Sequence, residues 1–177
     1  DVELKVRIGY ERPRSNTKHN CLLIVKGQKK VLDDNSVHRG TVKISNAKVH
    51  WWILNKNASG HGRHYVKGST QVLHQTELFD RTDGKSNKST LFGIIFGQKQ
   101  IALVIEPDSK NLRQNTSRTM LLTDDGSQLP WEKWGEEFMA KMPKEIQDYM
   151  NDLITESAKD SHSDSITERL KKFKDFY

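Results

Sequence analysis

Hydrophobic and polar residues alternate at the start of the chain, where Leu4, Val6, Ile8 and Tyr10 are separated by polar or small residues. This period of two predicts a strand with one buried face. Short apolar runs bounded by turn residues predict further strands at 21–25, 41–45, 49–54, 71–79 and 101–105. Asn46 is the predicted turn of a hairpin, and a second turn is predicted at Arg81-Thr82-Asp83-Gly84 because Asp-Gly supplies a positive φ. The run 101–105 is apolar throughout, which predicts a central strand covered on both faces, whereas 91–96 fits a strand or a helix.

After Pro130 the hydrophobic period lengthens to three and four residues, as in an amphipathic helix. Pro130 and Pro143 stand where a first helical turn tolerates proline, and 165–168 has the spacing of a capping box. The stripe of the first helix consists of Trp131, Trp134, Phe138 and Met142. The sequence therefore predicts an α+β fold, in which a β-rich and mostly antiparallel N-terminal body precedes two or three amphipathic C-terminal helices.

Length and composition limit the class of protein. The 177 residues suit a single domain, with a basic β-rich body at 1–126 and an acidic helical segment at 127–177. The single Cys21 excludes an intrachain disulfide framework and predicts a reducing, cytoplasmic location. No run approaches the roughly 20 apolar residues of a membrane span, so no membrane partner is expected. Because the chain opens on a strand pattern and stops inside a helical one, we expect it to be a piece of a larger protein.

Charge is unevenly distributed along the chain. Residues 1–120 contain 21 Lys and Arg against 10 Asp and Glu, a net charge of +11, whereas residues 121–177 carry 8 against 13, a net charge of −5. This asymmetry predicts that the first part contacts nucleic acid or another polyanion, and it equally allows the acidic tail to fold back and neutralise the body. The candidate contact residues are Lys5, Arg7, Lys43, Lys48, Arg113 and Arg118.

Catalytic alternatives have weaker support in the sequence. Glu77, Asp80, Glu106 and Asp108 follow predicted strands and suggest a metal-dependent nuclease or hydrolase, but Pro107 breaks the strand after Glu106. A zinc site would need the histidines at 50, 61, 64 and 74 to converge, and a solvated loop explains them equally well. No nucleophile elbow, Walker loop or dinucleotide-binding glycine pattern is present. We therefore expect no catalytic residue and no metal site in this chain.

Tryptophans raise two further possibilities. Trp51 and Trp52 are adjacent on a predicted strand and so face opposite sides, one in the core and the other covered by the C-terminal helices or stacked on a base. The stripe formed by Trp131, Trp134 and Phe138 would instead bind a protein partner if it were exposed. A protein–protein interaction module is accordingly a third hypothesis.

Three segments resemble a known family. They are Glu77-Leu78-Phe79-Asp80, Leu91-Phe92-Gly93-Ile94-Ile95-Phe96-Gly97 and Ile101-Ala102-Leu103-Val104-Ile105-Glu106-Pro107. They resemble the transducer region of ATPases with the Bergerat nucleotide fold, the superfamily of histidine kinases, gyrase, Hsp90 and mismatch-repair proteins. In that superfamily an α+β transducer domain relays the nucleotide state to DNA or a partner.

The resemblance implies a non-catalytic relay and binding domain of a larger, ATP-dependent protein. The nucleotide-binding motifs are absent from this chain, so it implies that ATP and Mg²⁺ belong to the parent protein and that this chain holds no cofactor. It also implies that a loop lysine reaches the γ-phosphate, for which Lys99 in Gly97-Gln98-Lys99-Gln100 is the candidate.

Overall fold

A computed structural model describes residues 4–8, 21–25, 27–56, 66–109 and 111–160 of the chain, the first two ranges by their backbone. The elements in chain order are β1 (Leu4–Ile8), β2 (Cys21–Val25), α1 (Gln28–Asp34), β3 (Ser36–Ile44), β4 (Ala47–Leu54), β5 (Ser69–His74), β6 (Glu77–Asp83), β7 (Ile101–Pro107), β8 (Arg113–Gln114), β9 (Leu121–Leu122), α2 (Trp131–Ala140) and α3 (Lys144–Asp160). Two short 3₁₀ turns, Gly84–Ser86 and Lys88–Phe92, connect β6 to the segment before β7. The predicted α+β fold with a β-rich body and C-terminal helices is confirmed.

A five-stranded sheet with the strand order β3-β4-β7-β5-β6 forms the centre of the described structure. Its neighbouring strands are antiparallel except β5 and β7, which run parallel. The strand β7 is central, as its apolar run predicts, and residues 101–105 are all buried. The strands β1 and β2 form one two-stranded antiparallel sheet, and β8 and β9 form another.

One face of the five-stranded sheet, called the covered face here, packs against α2, α3 and the turn Lys88–Phe92. Its core includes Val49, Trp51, Ile53, Val72, Leu103, Ile105, Phe92, Trp134, Phe138 and Ile146. Aromatic rings meet edge to face between Phe92 and Phe138, at 5.8 Å between centroids, and between Trp131 and Trp134 at 5.7 Å. Gly135 allows α2 to approach the turn closely, since a Cβ at this position would lie 2.0 Å from the carbonyl oxygen of Leu91.

A smaller hydrophobic cluster lies on the opposite face of the sheet, where Trp52, Leu54, Ala102 and Val104 pack with Leu32 of α1. The indole Nε1 of Trp52 donates a hydrogen bond of 2.7 Å to the Asp33 carboxylate. The two adjacent tryptophans therefore face opposite sides as predicted. The predicted cover of the second one by the C-terminal helices is wrong, because α1 contributes Leu32 and Asp33 at Trp52.

The predicted turns have different outcomes in the structure. Ser45 and Asn46 form the turn of the predicted β3–β4 hairpin. The single strand predicted at 71–79 is instead two strands joined at Gln75 and Thr76, whose φ angles are 49° and 73°. The turn predicted at 81–84 lies in β6 as far as Asp83.

Some helices were predicted from the sequence and others were not. The helix α1 was not predicted from the sequence. In 91–96 the structure has the end of a 3₁₀ turn followed by irregular chain. The helices α2 and α3 begin directly after Pro130 and Pro143. The capping box at 165–168 lies outside the described residues, and no helix in the described part of the chain is long and apolar enough to cross a membrane.

Candidate functional site

A group of polar side chains occupies the sheet surface opposite the covered face, on three adjacent strands. We call it the polar face; it consists of Thr41 and Lys43 on β3, Lys48 and His50 on β4, and Glu106 on β7. These positions alternate with Val42, Ile44, Val49 and Ile105, whose side chains pack in or against the core of the covered face. Register completes the group, because Thr41 pairs with His50, Lys43 with Lys48, and Lys48 with Glu106.

Hydrogen bonds connect a hydroxyl, an imidazole and a carboxylate across the polar face. The Thr41 Oγ1 lies 2.9 Å from His50 Nδ1, and His50 Nε2 lies 3.1 Å from Glu106 Oε2. An ionised carboxylate only accepts hydrogen bonds, so in a neutral imidazole Nε2–H donates to Glu106 and Nδ1 accepts a hydrogen bond from the Thr41 hydroxyl. The side chain of His50 is 22% exposed and that of Glu106 is 42% exposed, so solvent reaches both groups.

Two lysines of the polar face stand directly opposite each other. Lys43 and Lys48 are exposed and form a cross-strand pair, an arrangement in which like charges repel. Glu106 Oε2 is 4.0 Å from the Lys48 ammonium and also faces His50, so one carboxylate serves two basic groups. For the residues that the structure describes, no ion pair is found at Lys43.

A third lysine reaches the same edge of the sheet from α2. The Lys141 Nζ donates a hydrogen bond of 3.1 Å to the carbonyl oxygen of Lys43. Because β3 is the outermost strand, the Lys141 ammonium lies at the sheet edge beside the Lys43 backbone. Lys43 and Lys48 occupy paired positions on β3 and the neighbouring β4. We call these three residues the lysine edge.

Arg113 and Arg118, two further residues predicted to contact a polyanion, are not part of the polar face. Arg113 on β8 is paired with Asp124 at 3.1 Å, with both side chains about two-thirds exposed (68% and 65%). Arg118 is exposed in the β8–β9 connection, with φ at 54°. The side chains of Lys5 and Arg7 lie outside the described residues. Of the six predicted contacts, the structure thus brings Lys43 and Lys48 directly together.

Lys99, the lysine that the family resemblance suggested, lies in the turn before β7. The turn is fixed by its backbone, since the Lys99 carbonyl accepts a hydrogen bond of 2.7 Å from Gly68 N–H and Gly97 has a φ of 70°. The Lys99 side chain is exposed and has no hydrogen bond or ion pair to another described residue. Its role in nucleotide contact stays a prediction.

The carboxylates proposed for a nuclease do not form one group. Glu106 faces His50 and Lys48, whereas the Asp80 carboxylate accepts a hydrogen bond of 2.9 Å from the backbone N–H of Leu121. Asp80 is buried, with φ at 53°, and its hydrogen bond holds the first residue of β9. Across the described ranges, no cluster of three or more His, Cys, Asp or Glu residues could hold a metal ion. His61 and His64 lie outside these ranges.

The aromatic stripe of α2 is part of the core. Trp131, Trp134 and Phe138 are 8%, 2% and 0% exposed, so they offer little surface to a protein partner. The Lys88 ammonium lies 3.8 Å from the centroid of the Trp131 ring. Burial lowers the pKa of Lys88, and the nearby Asp80 carboxylate partly opposes this.

A comparison of the chain with protein-family models, with curated proteins and with solved structures finds no match.

Thr41 and Lys141 were not among the residues predicted from the sequence. A signal for Thr41 was present, because a two-residue turn at Ser45 and Asn46 sets Thr41 opposite His50 and Lys43 opposite Lys48. The position of Lys141 had no such signal, since it depends on how α2 packs beside β3.

Proposed function

We propose that this chain is a binding domain that contacts nucleic acid through the lysine edge. The observation that carries the proposal is the exposed Lys43–Lys48 pair, placed on directly opposite positions of two hydrogen-bonded strands. Like charges at such positions destabilise a sheet, so the fold itself gains nothing from the pair. A phosphate backbone would relieve the repulsion.

The surroundings of the pair support an anionic partner. Lys141 adds a third ammonium group beside the Lys43 backbone, and Glu106 is shared between Lys48 and His50. Lysine ammonium groups on a strand edge contact phosphates without base recognition, so we expect binding with little sequence preference. The net charge of +11 over residues 1–120 would steer the same partner towards this part of the chain.

The relay role in an ATP-dependent parent protein is a further part of the proposal, and its support is the resemblance of residues 77–107. In that arrangement the parent protein supplies ATP and Mg²⁺, and this domain passes the nucleotide state on to nucleic acid. A cytoplasmic location is proposed on the single cysteine.

Fluorescence anisotropy of labelled single- and double-stranded DNA at two salt concentrations tests the binding proposal. We expect the double variant Lys43→Glu, Lys48→Glu to lose at least about tenfold in affinity and to show a salt slope shallower by about two. The matched control is Lys99→Glu, Lys144→Glu, which changes net charge equally at exposed lysines outside the lysine edge.

Three outcomes would overturn the proposal. Absence of binding at low salt would remove nucleic acid as the partner. Equal losses in the two double variants would show that net charge, rather than the lysine edge, drives binding. Cleavage of the DNA on addition of Mg²⁺ would instead favour the metal-dependent nuclease, and Glu106→Ala would then be the decisive variant.

A further inference from the structure

We propose that Thr41 is a nucleophile, activated by His50 and Glu106, that accepts an acyl group from activated esters. The arrangement has the three parts that hydroxyl nucleophiles use: a hydroxyl, a base within hydrogen-bond distance, and a carboxylate that holds the base. The distances are 2.9 Å from Thr41 Oγ1 to His50 Nδ1 and 3.1 Å from His50 Nε2 to Glu106 Oε2. The proposal does not depend on nucleic-acid binding.

The orientation of the imidazole is set from both sides. Glu106 accepts a hydrogen bond from Nε2–H, which leaves the lone pair of Nδ1 directed at the Thr41 hydroxyl. The carboxylate also stabilises the imidazolium that forms when the hydroxyl proton moves. Thr41 is exposed, so an incoming ester can reach its oxygen. Glu106 acts through His50 and is therefore a positioning residue.

The acylation step balances with p-nitrophenyl acetate as the acyl donor. The Thr41 oxygen attacks the carbonyl carbon while His50 Nδ1 takes the hydroxyl proton. The tetrahedral intermediate collapses, the bond to p-nitrophenolate breaks, and His50 returns the proton to solvent or to the leaving group. The product is O-acetyl-Thr41. Lys43 and Lys48, one residue pair along the same face, provide positive charge beside the oxyanion that develops.

Mass spectrometry of peptides after timed exposure to p-nitrophenyl acetate tests the proposal. Thr155 is an internal control because it is an exposed threonine whose hydroxyl donates to the Asn151 carbonyl instead of to an imidazole. We expect Thr41 to be acetylated at least about tenfold faster than Thr155. Acetylation of Lys99, which is exposed, reports equal exposure to the reagent in every variant.

Variants of Thr41, His50 and Glu106 distinguish the roles of nucleophile, base and positioning residue. We expect Thr41→Ser to keep the label, Thr41→Val to lose it, and His50→Gln to reduce labelling at Thr41 to the rate of Thr155. Glu106→Ala should reduce labelling severalfold, and Glu106→Gln should restore most of it because the amide oxygen accepts the same hydrogen bond from Nε2. Circular dichroism checks that each variant is folded.

Equal acetylation rates at Thr41 and Thr155 in the unmodified sequence would overturn the proposal. So would a folded His50→Gln variant that labels Thr41 as fast as the unmodified sequence does. The acetylation rates are compared in the unmodified sequence and in variants of Thr41, His50 and Glu106, all of which keep Lys43 and Lys48. The binding test changes only the lysines and reads out DNA affinity, so the two proposals fail independently.

Discussion

The two faces of the five-stranded sheet are built from the same strands and serve opposite purposes. On the covered face, β4 presents Val49 and Trp51 to an aromatic core. On the polar face, the same strand presents Lys48 and His50 to solvent and to Glu106. Alternation of side chains along a strand makes this division possible. Most of the packing stability is therefore expected from the covered face, whereas the residues proposed for binding and acylation lie on the polar face.

Truncation of Trp134 should give the largest difference in unfolding free energy between the two faces. The side chain is 2% exposed and its Nε1 donates a hydrogen bond of 2.8 Å to Asn46. We expect Trp134→Ala to lower the free energy of unfolding by about 3–5 kcal/mol, as measured by urea denaturation. Thr41→Ala on the polar face should cost about 0.5 kcal/mol or less. Comparable costs for the two variants would contradict the division of roles.

Gly135→Ala tests how closely α2 packs on the covered face. In an exposed helix this change stabilises by about 1 kcal/mol. Here the new Cβ would lie 2.0 Å from the Leu91 carbonyl oxygen, so we expect destabilisation by about 1–3 kcal/mol. Gly27→Ala is the control because no atom lies within 4 Å of its Cβ position. A stabilised Gly135→Ala would mean that α2 can move away from the turn at low cost.

Lys43→Thr tests whether the polar face favours binding at the expense of stability. Removing one of two opposed ammonium groups should raise the free energy of unfolding by up to about 1 kcal/mol. The same variant should bind DNA more weakly, so stability and binding change in opposite directions. Lys99→Thr should leave both within error. A destabilised Lys43→Thr would show that the aliphatic part of Lys43 contributes packing.

The smallest effect is expected at an ion pair that joins the start of β5 to the end of β6. The ammonium of Lys67, 2.9 Å from the Asp83 carboxylate, lowers the pKa of Asp83. A lowered pKa means that the contribution is present above the ordinary value of 3.8 and is lost as the pH falls through the folded pKa. Because both side chains are partly exposed, we expect Lys67→Met to cost less than about 1 kcal/mol at neutral pH.

A pH series of urea denaturations measures this effect. The difference between Lys67→Met and the unmodified sequence should shrink below about pH 4 and also in high salt. A difference that is independent of pH would indicate lost packing of the Lys67 side chain instead of lost charge.

The sequence predicts the sheet and the C-terminal helices because their periodicity is regular and their ends carry turn residues or proline. It does not predict α1, since only Leu32 of that helix is buried. Nor does it predict the turn at Gln75 and Thr76, where positive φ angles occur without glycine or asparagine. Tertiary packing determines both.

The candidate site was predicted in part. Lys43 and Lys48 were selected for their charge, and their direct pairing follows from the hairpin turn. Glu106 was selected as a nuclease carboxylate, whereas its contact with His50 spans 56 positions of the chain. This contact depends on β7 pairing with β4, which no local pattern of residues specifies.

The order of strands has a consequence for synthesis on the ribosome. The hairpins β3–β4 and β5–β6 are complete before the strand that joins them, β7, has been translated. Until then, each hairpin has an inner edge whose backbone N–H and C=O groups are unpaired, the kind of edge that pairs with other chains. Nascent chains that stall before residue 101 should therefore be the aggregation-prone form, and exit of β7 from the ribosome should be the step that protects both hairpins.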